Sequence, residues 1–340
     1  MVVGSDAAGG GLRTLCCAGT RLRSSTPIIV KDMHETEEQD QDLKEKIAAL
    51  KKARNAIILC HNYQPPEVQD CADFLGDSLE LSQKAARTDA EVIVFCGVHF
   101  MAETASILCP DKIVLLPDID AGCPMANMIN AEQLREVKRC HPGALVVTYV
   151  NSTAAVKAES DYCCTSGNAL KVIEKLQDSG DIIFVPDKYL GSYVCHKTGK
   201  QMILWPGYCP THIKILPEDI VEQKRTYPHA VVMVHPECHC SVSQIADVVL
   251  STGGMLKYPG QSPAEQFLVG TELGMVYRLQ TLYPDRTFIP VTARALCPNM
   301  KRITREKIVA ALNEMSPVVS VPERIREAAY APVKRMLEIV

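Results

Sequence analysis

Long apolar segments are absent from this 340-residue sequence, and so is any excess of positive charge. No apolar run approaches the roughly 20 residues that a membrane-spanning helix needs. Lysine and arginine number 36 against 40 aspartates and glutamates, which gives a net charge of -4. Binding to nucleic acid depends on a basic surface, so this balance does not support a nucleic-acid partner. The N-terminal segment has no apolar core of a secretory signal, and we expect a cytoplasmic protein.

Cysteine pairs of the C-x-x-C type are also absent, although the chain has 15 cysteines. Structural zinc sites usually need such pairs, so a zinc ribbon is disfavoured. A disulfide framework is disfavoured as well, because the number of cysteines is odd and two pairs, Cys16-Cys17 and Cys163-Cys164, are adjacent. Reduced thiols, either buried or ligating a metal, fit this pattern better.

The first 42 residues differ in composition from the rest of the chain. A glycine run at residues 9–11 is followed by several arginines and then by an acidic stretch at residues 35–42. We therefore expect residues 1–42 to form a disordered N-terminal extension. Arginine and serine near the start leave an organelle-targeting segment as the weaker alternative.

From about residue 44, short apolar runs alternate with amphipathic helical stretches such as residues 79–87 and 169–177. The apolar runs are continuous rather than alternating, which is typical of parallel strands covered on both faces. This alternation predicts an α/β fold. The nine predicted strands are residues 55–60, 91–96, 112–116, 144–149, 181–185, 201–204, 230–234, 266–269 and 287–290.

Three kinds of marker recur in the sequence with one period of about 87 residues. They are a polar tripeptide after a strand, a hydroxyl residue near a helix start, and a Cys-Pro dipeptide. The members are His61-Asn62-Tyr63, Tyr149-Val150-Asn151 and His235-Pro236-Glu237; Ser78, Ser166 and Thr252; and Cys123, Cys209 and Cys297. Repetition at a fixed period indicates repeated structural units. We predict three similar three-layer αβα domains with short parallel sheets around a pseudo-threefold axis.

The predicted domain boundaries follow this period. They are residues 43–126, 127–212 and 213–299, and the C-terminal helices within residues 300–340 are expected to pack back on the first domain.

The repeated Cys-Pro dipeptides deliver one thiol from each third of the folded chain. Three thiolates that meet on one axis would hold a metal centre and leave one coordination position open for substrate. Thiolates suit an iron-sulfur cluster, and a cubane cluster normally takes four of them. The alternative is that all three are buried apolar cysteines. A fourth dipeptide, Cys109-Pro110, breaks the spacing and is left outside the set.

The three repeated hydroxyl residues, Ser78, Ser166 and Thr252, have two possible roles. Such residues ordinarily cap the start of a helix. Three of them facing one axis would instead form a cradle for carboxylate or phosphate, and their repetition favours this role.

Polar groups at the ends of the strands are expected to line a reaction chamber, since ligands of α/β proteins bind at that edge of a sheet. A glutamate beside a histidine, such as Glu237, can act as general base if partial burial raises its pKa.

From about residue 44 to its C terminus the chain resembles the quinolinate synthases. The resemblance rests on the strings HNYQPPEVQDCADFLGDSLELS, DIDAGCPMA, TYVNSTAAVKAESDYCCTSGNA, VPDKYLG, WPGYCPTH, VHPEC, STGGM, FLVGTELGMVYRL, CPNMK and VPERIR. It implies three α/β domains about a pseudo-threefold axis and a [4Fe-4S] cluster with three cysteine ligands and one open iron, a Lewis acid. It also implies the condensation of iminoaspartate with dihydroxyacetone phosphate to quinolinate, with release of phosphate and water, in NAD synthesis.

The resemblance also implies roles for individual residues. Cys123, Cys209 and Cys297 match the cluster ligands, and Tyr63 matches a tyrosine implicated in proton transfer. The expected substrate-binding positions are His61, Ser78, Tyr149, Val150, Asn151, Ser166, His235, Pro236, Glu237 and Thr252. Val150 and Pro236 would contribute backbone groups. Glu237 is the expected base, with His61, Tyr63 and His235 relaying protons, and an aspartate oxidase or dehydrogenase is the expected source of iminoaspartate.

Two other functions are left open by the residues alone. An aconitase-like hydro-lyase also uses three cysteines and an open iron, but its ligand pattern normally includes a close C-x-x-C pair. A cluster-based redox sensor would not need three anion cradles around one cavity, and a DNA-binding sensor would usually have a basic patch.

Overall fold

The computed structural model describes the backbone of residues 27–339 and the side chains of residues 40–339. Its first element is helix α1, Pro27–Ala53. Residues 1–26 of the predicted disordered extension lie outside the described residues, and the backbone of residues 27–42 is helical. The disorder of the extension stays a prediction. No helix in the described part of the chain combines the length and the apolar character needed to cross a membrane.

The first sheet unit follows α1 and alternates strands with helices. Its elements are β1 Ala56–His61, α2 Pro66–Gln69, β2 Phe74–Gly76, α3 Ser78–Arg87, β3 Val92–Cys96, α4 His99–Leu108 and β4 Ile113–Leu115. All of its strand pairs are parallel, in the order β2-β1-β3-β4.

The second and third sheet units repeat this arrangement, each with one helix in front of its first strand. The second contains α5 Ala131–Cys140, β5 Leu145–Tyr149, α6 Ala154–Lys157, β6 Tyr162–Cys164, α7 Ala169–Lys175, β7 Ile182–Val185, α8 Lys188–Thr198 and β8 Ile203–Leu204. The third contains α9 Pro217–Thr226, β9 Val231–Val234, α10 Cys240–Ile245, β10 Val248–Val249, α11 Thr252–Gln261, β11 Gln266–Gly270, α12 Gly274–Leu282 and β12 Thr287–Pro290. Their strand orders are β6-β5-β7-β8 and β10-β9-β11-β12.

The three sheets confirm the predicted α/β class with three similar αβα units. All nine predicted strands are present, with their ends shifted by at most two residues. Three strands were missed, and they are the equivalent edge strands β2, β6 and β10. Each is only two or three residues long, which is too short for a hydrophobic pattern to be recognised.

An aspartate holds each of these short edge strands to the neighbouring strand. It lies directly before the edge strand, its carboxylate accepts a backbone N–H from the neighbouring strand at 2.7 or 2.8 Å, and its own N–H donates to the carbonyl of the same residue. The pairs are Ile58 with Asp73, Val146 with Asp161, and Val232 with Asp247. Two hydrogen bonds per aspartate compensate for the small number of ladder bonds that so short a strand can make.

The C-terminal segment contains α13 Arg305–Glu314 and α14 Glu323–Glu338. Between them, Val318 forms an antiparallel bridge with Leu115 and covers the open edge of β4. Helix α14 packs against α4 of the first sheet unit and also against α6 and β6 of the second. The expected packing on the first domain therefore describes only part of its contacts, and the three domain boundaries remain a prediction.

Candidate functional site

A cavity of about 190 Å³ lies where the carboxyl ends of the three sheets meet. His61 is the last residue of β1, Tyr149 is the last of β5, and His235 directly follows β9. Twelve predicted site residues line this cavity. They are His61, Tyr63, Ser78, Cys123, Tyr149, Asn151, Ser166, Cys209, His235, Glu237, Thr252 and Cys297.

Val150 and Pro236 are buried but are not among the residues that line the cavity. The N–H of Val150 is bonded to the carbonyl of Cys164 at 2.8 Å, and proline has no N–H. Any contact of these two residues with a ligand therefore has to come from their carbonyl groups or side chains.

The three repeated cysteines reach the cavity from equivalent loops, and all are free thiols. Each Cys-Pro dipeptide runs into a short 3₁₀ turn, at Met125–Asn127, His212–Lys214 and Asn299–Lys301. Burial raises the pKa of Cys123 to about 12, although N–H groups of the following turn point at its sulfur and oppose this shift. Burial likewise raises the pKa of Cys209 well above its ordinary value. Both thiols are neutral when they have no positive partner.

The repeated hydroxyl residues are not the helix caps. At α3 the carboxylate of Asp77 accepts the N–H groups of Leu79 and Glu80, and at α11 the hydroxyl of Ser251 accepts the N–H of Gly254. Ser78 and Thr252 are the first residues inside these helices, and their side chains line the cavity. The capping role considered from the sequence is therefore wrong for both residues.

The loops that carry these hydroxyls touch one another. A β-carbon at position 253 would lie 2.6 Å from Oδ2 of Asp77, so the first and third sheet units approach each other closely at this glycine. A β-carbon at position 167, from the second unit, would lie 3.6 Å from the same oxygen and 3.5 Å from the hydroxyl of Ser251. Three helix-start loops thus converge at one end of the cavity.

His61 and His235 have the same tautomer, and the backbone determines it. The N–H of Tyr63 donates to Nδ1 of His61 at 3.1 Å, and the N–H of Glu237 donates to Nδ1 of His235 at 3.3 Å. A ring nitrogen that accepts carries no hydrogen, so the hydrogen of each neutral ring is on Nε2. Burial lowers the pKa of both histidines to about 3 and keeps the rings neutral. Nε2 of His235 lies 3.1 Å from the hydroxyl of Ser166.

Both carboxylate oxygens of Glu237 are engaged by side chains of the cavity wall. Its Oε1 accepts from the hydroxyl of Tyr149 at 2.5 Å, and its Oε2 lies 2.8 Å from Nδ1 of His212. Burial would raise the pKa of this carboxyl, but His212, His235 and the hydrogen bond from Tyr149 outweigh burial and hold it well below its ordinary range. The condition stated from the sequence for a general base, a pKa of Glu237 raised by burial, is therefore not met.

Sequence analysis missed His212, which lies in the turn after Cys209. Besides Glu237, its Nδ1 is 3.2 Å from the sulfur of Cys209, and the ligand atoms of these three residues lie within 4.8 Å of one another. A signal was available in the repeat: the equivalent positions in the other two Cys-Pro loops are Ala126 and Met300. Two of these three equivalent positions hold apolar side chains, so the titratable side chain at the third is a candidate functional group.

Glu272, after β11, was also missed. Its fully buried carboxylate accepts the N–H of Cys297 at 3.1 Å and pairs with Lys301, which also donates to the carbonyl of Tyr63. This ion pair connects the loop of the third repeated cysteine to the loop of Tyr63.

Comparisons with known proteins show which family the chain belongs to. The family model described as NadA, Quinolinate synthetase A protein, matches residues 45–338. A quinolinate synthase of Dehalococcoides mccartyi strain CBDB1 is 60% identical over 295 residues, which cover 87% of this chain and 97% of the relative. A quinolinate synthase of Geobacter sp. strain M21 is 54% identical over 299 residues, covering 88% of this chain and 98% of the relative. Quinolinate synthase 1 of Methanosarcina acetivorans is 52% identical over 301 residues, covering 88% and 99%. The chain belongs to the quinolinate synthase family.

Proposed function

We propose that the protein condenses iminoaspartate with dihydroxyacetone phosphate to quinolinate, a transferase reaction of NAD biosynthesis that releases phosphate and water. One observation carries the proposal: three free cysteines, three hydroxyls and two neutral histidines from all three sheet units line one cavity. The substrates together carry two carboxylates and a phosphate. Such a reaction needs donors for these anions and a site that orients two substrates next to each other.

The residues present fit a [4Fe-4S] cluster. Cys123, Cys209 and Cys297 would be its three ligands, and two of them already receive backbone N–H groups from the turn that follows. Backbone donors to sulfur are typical of such sites. When bound, the cluster would supply one open iron as a Lewis acid that polarises a substrate oxygen or nitrogen. Because burial raises the pKa of Cys123 and Cys209 and keeps both thiols protonated, cluster binding has to release protons.

Substrate anions would bind at the end of the cavity where the three helix-start loops converge. Ser78, Ser166 and Thr252 would donate their hydroxyls to carboxylate and phosphate oxygens, and the positive ends of helices α3 and α11 would favour negative charge there. His61 and His235 present neutral Nε2–H donors and so bind oxygen without adding charge. Val150 and Pro236 remain proposed backbone contributors to this set.

Asn151 would orient the nitrogen-bearing substrate. Its Oδ1 is buried and has no hydrogen-bond partner among the described residues, whereas its Nδ2 lies 3.5 Å from Glu237. A buried acceptor without a donor is costly, and an N–H of the substrate would satisfy it.

Proton transfer is assigned to Tyr63 rather than to Glu237 alone. Burial and the charge of Glu237 raise the pKa of Tyr63 well above its ordinary value, so the phenol stays neutral and can hold or pass a proton at Oη. Glu237 stays ionised, and its role would be to orient Tyr149 and to stabilise positive charge that develops beside it. His61 and His235 would support the transfer through their Nε2–H groups.

We also propose a cytoplasmic location and transient contact with an aspartate oxidase or dehydrogenase. All 13 cysteines in the described part of the chain are free, which suits a reducing compartment. Iminoaspartate hydrolyses readily, so a nearby supplying enzyme would limit its loss.

The deciding experiment is anaerobic purification and cluster reconstitution, followed by incubation with iminoaspartate and dihydroxyacetone phosphate. We expect a brown protein that produces quinolinate, and loss of both colour and product in Cys123→Ala, Cys209→Ala and Cys297→Ala. A brown protein that makes no quinolinate would overturn the proposal and favour the hydro-lyase or the redox sensor.

A further inference from the structure

A fully buried lysine lies behind the wall of the cavity. Lys157 is the last residue of α6, and its side chain does not line the cavity. Its Nζ donates to the carbonyl of Ser152 at 2.5 Å and lies 5.4 Å from the centre of the Phe100 ring. Phe100 lines the cavity, and so does Asn151, which directly precedes Ser152. No carboxylate in the described part of the chain forms an ion pair with Lys157.

The first sheet unit makes the same contact with a neutral side chain. Lys157 corresponds in the repeat to Gln69 of the first unit. Ser152 corresponds in the same way to Gln64. Nε2 of Gln69 donates to the carbonyl of Gln64 at 2.8 Å, so the two units share this hydrogen bond. A neutral amide is therefore sufficient to hold the loop, and the positive charge of Lys157 needs another explanation.

The groups that the cavity would hold are negatively charged. Three thiolates would bind the cluster, the substrates bring two carboxylates and a phosphate, and Glu237 on the wall is ionised. Burial lowers the pKa of Lys157, whereas negative charge at Glu103 and at Cys123 raises it. The carbonyl and the aromatic ring beside Nζ also favour the charged form. Lys157 is therefore most stable as a cation when the cavity holds negative charge.

We propose that Lys157 is the buried counter-charge for the anions of the cavity. It does not line the cavity, so it acts through its electric field, which the protein interior screens less than water does. A positive charge at this place favours the binding of anionic substrates. It also favours the reduced cluster, which carries one more electron than the oxidised cluster. This inference rests on the proposed function, in which one cavity holds both the cluster and the substrates.

Replacement of Lys157 by glutamine removes the charge and supplies the side chain that makes the same contact in the first unit. In the anaerobically reconstituted protein, Lys157→Gln should shift the midpoint reduction potential of the cluster to a more negative value. It should also raise KM for dihydroxyacetone phosphate about tenfold, because a buried charge no longer attracts the phosphate. The melting temperature should not fall, since a buried charge without an ion-pair partner costs free energy.

Lys112→Gln is the matched control. Nζ of Lys112 donates to the carbonyls of Thr88 and Ala90, which precede β3 and so lie at the end of the sheet opposite the cavity. The reduction potential and KM of this variant should both equal those of the unmutated protein. Changes as large as those in Lys157→Gln would overturn the inference.

Lys157→Met is the second variant, because it removes the hydrogen bond together with the charge. It should show the same shift of potential, even if its melting temperature is lower. Loss of iron at an unchanged melting temperature would also support the inference, since the thiolate-bound cluster is one of the anions. An unchanged potential and KM in either variant would overturn it and leave Lys157 as an anchor for Ser152. The potential is measured without substrate, so it tests Lys157 even if the unmutated protein makes no quinolinate, which would overturn the proposed function instead.

Discussion

The hydroxyl of Tyr149 donates a 2.5 Å hydrogen bond to Oε1 of Glu237, which lies 88 residues further along the chain. Tyr149 ends β5 and Glu237 follows β9, so the bond joins the second and third sheet units across the cavity. Because His212 occupies the other carboxylate oxygen at 2.8 Å, both oxygens of Glu237 are already engaged. Glu237 is therefore better suited to organise its neighbours than to collect a proton.

Replacement of Glu237 by glutamine should impair both the fold and the reaction. The amide keeps only one acceptor oxygen, so either the hydroxyl of Tyr149 or Nδ1 of His212 loses its present acceptor. We expect a loss of about 1–3 kcal/mol in the free energy of unfolding and a fall in kcat of at least about tenfold. Denaturant unfolding and single-turnover quinolinate formation measure the two effects.

The exposed Glu174→Gln variant controls for the change of charge and should leave both quantities unchanged. Full kcat and unchanged stability in Glu237→Gln would show that the hydrogen bonds to this carboxylate contribute to neither catalysis nor stability.

The iron content of alanine variants distinguishes the proposed cluster ligands from other cysteines. Cys123→Ala, Cys209→Ala and Cys297→Ala should each lose the visible absorption of the cluster and most of the bound iron, because a site with two thiolates holds a cubane poorly. Iron and sulfide assays on anaerobically reconstituted protein check this expectation.

Cys109→Ala is the matched control, since Cys109 is also followed by proline but is buried away from the cavity with its sulfur 3.2 Å from the carbonyl of Ala85. It should keep its iron and lose only about 1–2 kcal/mol of stability through the small void. Iron loss in Cys109→Ala, or retention in any of the other three, would contradict the ligand assignment.

Hydroxyls that bind substrate and hydroxyls that cap helices should respond differently to substitution. Thr252→Val should raise KM about tenfold for a substrate and leave stability nearly unchanged, because Thr252 is not the cap of α11. Ser251→Ala removes the cap and should lower the free energy of unfolding by about 1 kcal/mol. Initial-rate kinetics and denaturant unfolding on both variants check that Thr252→Val changes KM and Ser251→Ala changes stability. A loss of stability in Thr252→Val with an unchanged KM would mean that Thr252 has only a structural role.

His61 and His235 predict how stability depends on pH. Their pKa is about 3 in the folded protein and 6.5 in the unfolded chain. Above pH 6.5 both states are neutral at these groups, and between pH 6.5 and 3 only the unfolded state takes up protons. The free energy of unfolding should therefore fall as the pH drops through this range, by up to about 1.4 kcal/mol per pH unit for each histidine.

Denaturant titrations at several pH values measure this slope. His61→Gln should reduce it by the share of one histidine, whereas replacement of the exposed His196 by glutamine should leave it unchanged. An identical slope in His61→Gln and the unmutated protein would mean that His61 does not stay neutral in the folded state.

Much of the site could be predicted because the sequence repeats. Equivalent residues such as Cys123, Cys209 and Cys297 were found by their spacing alone, and all three line one cavity. His212 was missed because it breaks the repeat instead of following it, with Ala126 and Met300 at the equivalent positions. The aspartates before the short edge strands do follow the repeat, at Asp73, Asp161 and Asp247, but a lone aspartate between apolar runs usually indicates a turn.

The amino-acid sequence by itself determined the α/β class, the three equivalent units and the groups that face the cavity, because strand patterns and period are local or repeated properties of the chain. The tertiary structure decided what those groups can do chemically. The tautomers of His61 and His235, the low pKa of Glu237 and the link from Tyr63 to His212 through Thr271 depend on distances between residues far apart in the chain. Electrostatic and hydrogen-bond energies change steeply over an ångström, and only the packing of the three units against one another sets those distances.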